Sequence, residues 1–330
     1  MEHTLECDLL VIGAGPAGLF AAYYAGFRDL RVVVVDSLPE PGGQVSALYP
    51  EKVIYDVAGF PAVKGQELVD RLVEQAAQYS PRYLLGHRAE HLAAHQDHVE
   101  VITSQDAVIQ AKAVLITGGI GTFTPRPLQD AEDYEGHGLR YFVPKLEDLR
   151  DQDVLIVGGG DSAFDWADSL DGVARSRTLI HRREQFRAHE GTVQKVLAGD
   201  LTVLTPYEVA KISGDPEITA VDVFHSKTGE RRTLEVQAVV AALGFTADMG
   251  IFASWGIEQR KRHLLVDAAM RTNLPRVFAA GDIVDYASDP EAKVRLIAVG
   301  FGEAATAVNN AVPVIRPGAK VFPGHSSDPG

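Results

Sequence analysis

Apolar positions in this chain fall in short unbroken runs that lead into glycine. Residues 7–12 form one such run, 13–18 are glycine-rich, 19–26 read as helix, and 30–35 form a second run that stops at Asp36. Short apolar strands separated by a helix-length segment predict a βαβ unit, with parallel strands buried on both faces. The arrangement returns once, as a run at 154–157, glycines at 158–160, a helix-like stretch to about residue 170, and a strand at 178–180 ending at His181. Three further runs, at 113–119, 238–244 and 277–282, also reach glycine. The first two bracket the second βαβ unit. The pattern therefore predicts a domain of residues 119–244 inserted into a discontinuous domain made of 1–118 and 245–330. Gly118, Gly119, Gly121 and Gly244 then fall in the two connecting strands.

Composition narrows what such a fold does. With 330 residues, 46% of them hydrophobic, the chain can bury two cores and is not disordered. Its net charge of -14, from 31 Lys and Arg against 45 Asp and Glu, argues against a general nucleic-acid binder, which needs basic surface to displace counterions. No signal-peptide pattern opens the chain and no window approaches a membrane span, so a soluble cytoplasmic protein is expected. The single cysteine, Cys7, rules out an intramolecular disulfide, a CxxC redox pair and a cysteine-based metal cluster. At the start of a buried strand it reads as a small core residue.

Gly13, Gly15 and Gly18 fit the GxGxxG pattern between strand and helix, where the glycines permit a tight turn and the helix N–H groups point at a pyrophosphate. Asp36 follows Gly13 by 23 positions, at the end of the second strand, where a carboxylate accepts hydrogen bonds from ribose hydroxyls. The second unit carries Gly158, Gly160, Asp161 and Ser162, and the same count of 23 from Gly158 reaches His181, followed by Arg182, Arg183 and Arg187. A carboxylate there would repel a 2'-phosphate, whereas guanidinium groups bind it bidentately. The second site therefore prefers NADPH over NADH, and the position of the arginines outweighs the ordinary reading of such a pair as a solvated loop. A nicotinamide alone has nothing here to reduce, so the first unit is expected to hold FAD, which needs no protein nucleophile. The expected fold is an α/β protein with two Rossmann-like dinucleotide-binding domains, the NADPH domain inserted into a discontinuous FAD domain. Asp282 reads equally as a ligand of the flavin's ribityl chain and as a cap or turn residue. Residues 294–306 read as a buried helix whose N-terminus faces the flavin pyrimidine and stabilises the charge that reduction creates.

These motifs, with Gly42-Gly43-Gln44, the run from His181 to Arg187 and Ala280-Gly281-Asp282, resemble the thioredoxin reductase-like superfamily of flavoproteins over nearly the whole chain. Where thioredoxin reductases carry a CxxC pair, upstream of the second glycine motif, residues 139–145 hold no cysteine. The stretches 44–52 and 55–61 resemble the cysteine-less ferredoxin:NADP reductases of that superfamily. The resemblance implies FAD contacts at Asp36, Gln44, Tyr49, Ala89, Phe123, Asp282 and either Ser326 or Ser327. It implies Tyr49 and His325 on the two flavin faces, with a tail hydroxyl near N5, and a homodimer. The activity implied is transfer of electrons from NADPH through FAD to a one-electron carrier, ferredoxin or flavodoxin. Two other readings compete: an NADPH-dependent flavin oxidase or thioredoxin reductase-like enzyme with an external acceptor, and a non-catalytic NADPH-sensing flavoprotein.

Some features carry less. His87, His91, His95 and His98 have a spacing that would align metal ligands on a helix, but 96–97 reads as a hairpin turn, so no metal is expected. Arg260 to His263 reads as a solvated turn or a local patch that receives an acidic carrier. Trp166 and Trp255 read as packing residues.

Overall fold

The strands Leu5–Ile12 and Val32–Asp36 pair in parallel, Leu9 opposite Val32 and Ile12 opposite Val35, with the Pro16–Phe27 helix as the crossover. A computed structural model describes residues 4–119, 121–143, 145–248, 250–322 and 324. It divides the chain into two compact units. The first comprises Met1–Ser46, Val53–Thr122 and Ala247–Gly330, and the second Ala47–Lys52 and Phe123–Thr246. The second unit takes in Ala47–Lys52, a segment the sequence pattern leaves with the first.

In the first unit the Leu5–Ile12 strand sits centrally, flanked by Val32–Asp36 and Val108–Ile116, with Arg82–Leu85 beyond the one and Val277–Ala279 parallel to the other. Leu9, Leu10, Val11, Val34, Val114 and Ile116 are fully or almost fully buried, as strands covered on both faces require. Helix Pro16–Phe27 begins with proline at its first turn and buries only small residues and Leu19, so it packs close to the sheet and to helices Gly65–Ala77 and Ile297–Ile315. The strands Ala89–Ala94 and Val99–Thr103 form an antiparallel hairpin on the same sheet. His95 and His98 flank its turn with stacked rings 4.5 Å apart, so this segment is the hairpin that residues 96–97 suggest and not a helix.

The second unit is built on a parallel sheet in which Asp153–Val157 is flanked by Ala238–Ala241 and Ser176–Ile180, with Leu139–Arg140 and Thr202–Leu204 outermost. Helix Asp161–Ser169 is the crossover, burying Ala163, Phe164, Trp166 and Ala167. A three-stranded antiparallel sheet, Tyr207–Gly214, Ile218–His225 and Arg231–Glu235, covers the other face and was not legible in the sequence pattern. Besides the passages on either side of Ala47–Lys52, the chain passes between units in Thr122–Pro125 and Phe245–Asp248, which pair with each other.

The helix expected at 294–306 begins later and runs longer, at Ile297–Ile315. Val294 and Leu296 are exposed, and the Arg295 guanidinium bonds Asp285 at 2.5 Å, which holds this stretch extended as far as Leu296. No helix among the described residues is long and apolar enough to cross a membrane.

Candidate functional site

The first glycine loop leaves Leu5–Ile12 and enters Pro16–Phe27 with no side chain capping the helix, so its leading N–H groups are open to a ligand. Gly13 (φ +112°) and Gly18 are required by packing. A Cβ on Gly13 would lie 2.6 Å from the Thr117 carbonyl, and one on Gly18 only 1.8 Å from the Gly13 carbonyl. Thr117 secures the loop by donating its hydroxyl to the Gly13 carbonyl at 2.8 Å. Gly15 differs, because a Cβ there would meet no atom of the described residues within 4 Å. The space above Gly15 and the uncapped helix end together make the cradle a pyrophosphate fits.

Asp36 closes one side of this cradle. Its carboxylate accepts the N–H of Ala14 at 2.6 Å and of Leu38 at 2.8 Å, and burial pushes its pKa up against those two donors. Each oxygen keeps a second lone pair, enough to accept ribose hydroxyls. The Gly42-Gly43 turn docks on the loop through Gly42 N–H to the Ala14 carbonyl at 2.8 Å, and Gly43 comes so close that a Cβ would lie 3.0 Å from Gly15 Cα. Gln44 lies with its amide against Gly119, where a Cβ would be 2.7 Å from Gln44 Nε2. Asp282 sits half-buried in the turn between Val277–Ala279 and Val284–Tyr286. That turn is fixed to the sheet by Ala280 N–H to the Ile116 carbonyl at 2.9 Å, which sets Asp282 beside the strand end carrying Thr117. The structure thus brings Gly13, Gly15, Gly18, Asp36 and Gln44 together around one loop. Ala89 is buried at the start of its hairpin strand, apart from that cluster of hydrogen bonds.

In the second unit the same construction recurs. Helix Asp161–Ser169 is uncapped after Gly160, and a Cβ on Gly160 would again meet nothing within 4 Å among the described residues. Gly158 (φ +157°) lies against the Ala242 carbonyl, where a Cβ would be at 2.4 Å. The loop carrying the arginines is tied to the glycines by Arg187 N–H to the Gly159 carbonyl at 2.7 Å. Arg182, Arg183 and Arg187 are exposed, and among the described residues their side chains make no ion pair. His181 packs its ring against Gly159, where a Cβ would lie 2.5 Å from the ring, so only glycine fits. Burial, with the three arginines behind it, pushes the His181 pKa down, which keeps the ring neutral. Its buried Nε2 has no partner among the described residues. Asp161 accepts the His189 N–H at 2.8 Å, which fixes the next loop rather than leaving the carboxylate free, and Ser162 is half-buried on the helix's first turn.

Tyr49 lies half-buried in the turn after helix Gln44–Leu48, within the second unit's Ala47–Lys52 segment. Phe123 falls in Thr122–Pro125 and its side chain lies outside the described residues, as do His325, Ser326 and Ser327 altogether. One group was missed from the sequence: Glu303, buried on helix Ile297–Ile315, accepts the backbone N–H of Gly281 at 2.9 Å. The signal was there, since a carboxylate stands in the apolar stripe of Gly300, Ala304, Ala307 and Val308 and burial obliges it to find partners.

The pyridine nucleotide-disulphide oxidoreductase family matches this chain over residues 7–311. A ferredoxin–NADP reductase of Frankia alni is 59% identical over 97% of the chain and 98% of its own length. One of Thermus thermophilus is 49% identical over 99% of the chain and 97% of its own length. Among solved structures, a Lactococcus lactis thioredoxin reductase has a TM-score of 0.72 and 26% identity, covering 94% of this chain and 99% of that one.

Proposed function

Because the chain belongs to the pyridine nucleotide-disulphide oxidoreductase family, we propose that it is a ferredoxin–NADP reductase, holding FAD on the first unit and NADPH on the second. Bound FAD would supply the redox chemistry, taking hydride from NADPH and giving up electrons singly to ferredoxin. The chain's own residues bind and orient. Asp36 receives the FAD ribose, the uncapped N-terminus at Gly15 receives its pyrophosphate, and Asp282 receives the ribityl chain. Arg182, Arg183 and Arg187 receive the 2'-phosphate of NADPH, each by charge-assisted hydrogen bonds. Tyr49 and His325 belong on the flavin faces, with Ser326 or Ser327 near its N5, and Ala89 and Phe123 line the same group.

The observation that carries this reading over thiol chemistry is the state of the only cysteine. Cys7 is 3% exposed, burial pushes its thiol up to about 12, and no second cysteine exists to pair with it. Electrons therefore leave without a dithiol relay. Flavodoxin is a second acceptor in this reading, since it too is a one-electron carrier. Homodimerisation and a cytoplasmic location complete it, supported by the family resemblance and by NADPH as the reductant.

Steady-state NADPH oxidation with ferredoxin, flavodoxin, oxygen or a low-molecular-weight disulfide as acceptor tests the proposal. Turnover is expected to be fastest with ferredoxin. Turnover with oxygen alone, or with the disulfide alone, would overturn it.

A further inference from the structure

A buried ion pair beneath the Asp282 turn plays no part in the binding scheme above. Glu303 and Lys293 have side chains only 5% and 1% exposed, and Lys293 Nζ meets Glu303 Oε1 at 2.5 Å. The Tyr286 phenol donates to the same oxygen at 2.5 Å. Burial, reinforced by that carboxylate, pushes the Tyr286 pKa up to about 12, so the phenol remains a donor. The other oxygen, Oε2, accepts the Gly281 N–H at 2.9 Å. One carboxylate on the Ile297–Ile315 helix thus gathers three donors, all from the segment that carries Asp282.

The turn is otherwise held from the sheet side, by Ala280 N–H to the Ile116 carbonyl and Leu264 N–H to the Ile283 carbonyl. On the helix side Gly281 also lies against Ala17 and Gly300, since a Cβ on Gly281 would be 3.3 Å from Ala17 Cβ and one on Gly300 would be 3.6 Å from Gly281 Cα. These contacts are apolar and non-directional. The hydrogen bond from Gly281 to Glu303 is directional, and it acts on the residue immediately before Asp282. Burying a charge pair for stability alone is a poor bargain, because well-packed apolar residues often serve as well.

We propose that Glu303 is a positioning residue for the flavin site, with Lys293 as its neutralising partner: its carboxylate fixes the peptide of Gly281 and thereby the place of Asp282 at the ribityl chain. This rests on the reading that FAD occupies the first unit.

The test compares two double variants that both remove the ion pair. Glu303→Gln with Lys293→Met keeps an amide oxygen to accept from Gly281, whereas Glu303→Leu with Lys293→Met keeps none. The measured quantities are the FAD dissociation constant of the apoprotein, its affinity for 2',5'-ADP as a probe of the second unit, and its urea midpoint. The Leu variant is expected to bind FAD at least about tenfold more weakly than the Gln variant, the factor for losing one hydrogen bond to a buried acceptor, with 2',5'-ADP affinity unchanged. Equal FAD affinities in the two variants would overturn the proposal. Should the Leu variant not fold, Glu303→Asp replaces it, keeping the charge opposite Lys293 but shortening the reach to Gly281. FAD binding weakened about tenfold supports the proposal and unchanged binding overturns it. A wild-type protein that takes up no FAD overturns the proposed function and this inference with it, whereas normal FAD uptake with indifferent variants overturns this inference alone.

Discussion

The backbone N–H of Arg187 donates to the carbonyl of Gly159 at 2.7 Å, so the loop that carries three exposed arginines is fastened to the glycine loop it serves. The groups proposed for the 2'-phosphate and for the pyrophosphate are thereby tied to each other within the second unit. Replacing both Arg182 and Arg183 by Ala should raise the KM for NADPH by about tenfold to a hundredfold while leaving that for NADH nearly unchanged. Parallel steady-state titrations with the two nucleotides measure the ratio, and equal effects would refute the assignment.

Gly15 and Gly18 should respond oppositely to the same added methyl group. Gly15 has ordinary extended backbone (φ -69°), and its Cβ would enter open space above the helix end. Gly15→Ala should keep its urea midpoint and lose FAD affinity. A Cβ on Gly18 would lie 1.8 Å from a backbone oxygen, so Gly18→Ala should lose about 2 kcal/mol of stability or more, whatever the ligand.

Asp8 makes the first unit's stability depend on acid. Burial alone would raise its pKa, but the hydrogen bond and ion pair from Lys112 at 2.8 Å and those from Arg31 reverse this and hold it at about 2, below the ordinary 3.8. A depressed carboxylate pKa stabilises the fold above the unfolded value and ceases to do so as pH falls through the folded one. Asp8→Asn should therefore cost about 2 kcal/mol at neutral pH, and the gap from wild type should stay flat above pH 4 and close toward pH 2. Urea midpoints across that range give the curve.

Cys7 should be dispensable for electron transfer. Its buried thiol is a packing group in the Leu5–Ile12 strand, so Cys7→Ala should lose about 1 kcal/mol of stability and retain ferredoxin turnover at saturating NADPH. Loss of turnover in a folded, FAD-loaded variant would restore a thiol route.

The dinucleotide units were legible because parallel strands buried on both faces leave unbroken apolar runs, and because a glycine motif recurs with the end of the next strand 23 positions on, at Asp36 in the first unit and His181 in the second. Asp36, and His181 with the arginines that follow it, were singled out by that count. The antiparallel sheet over 207–235 was not legible, since Tyr207–Gly214 and Ile218–His225 mix buried and exposed positions instead of forming unbroken apolar runs, and Arg231–Glu235 is largely exposed. Residues 294–296 mimic helix through Val294 and Leu296, whereas the Arg295–Asp285 and Lys293–Glu303 pairs, which set where the helix begins, are tertiary and invisible to periodicity. Glu303 stands out as a carboxylate in an apolar stripe, but its partner Gly281, 22 residues away, is tertiary in the same way.

Electron transfer from NADPH through the flavin to ferredoxin is tested most directly by anaerobic stopped-flow mixing of the FAD-loaded protein, first with NADPH and then with oxidised ferredoxin, while following flavin absorbance. Rapid bleaching is expected in the first step and recovery of the oxidised spectrum in the second, both retained in Cys7→Ala. Bleaching that ferredoxin fails to reverse, or no bleaching at all, would contradict it.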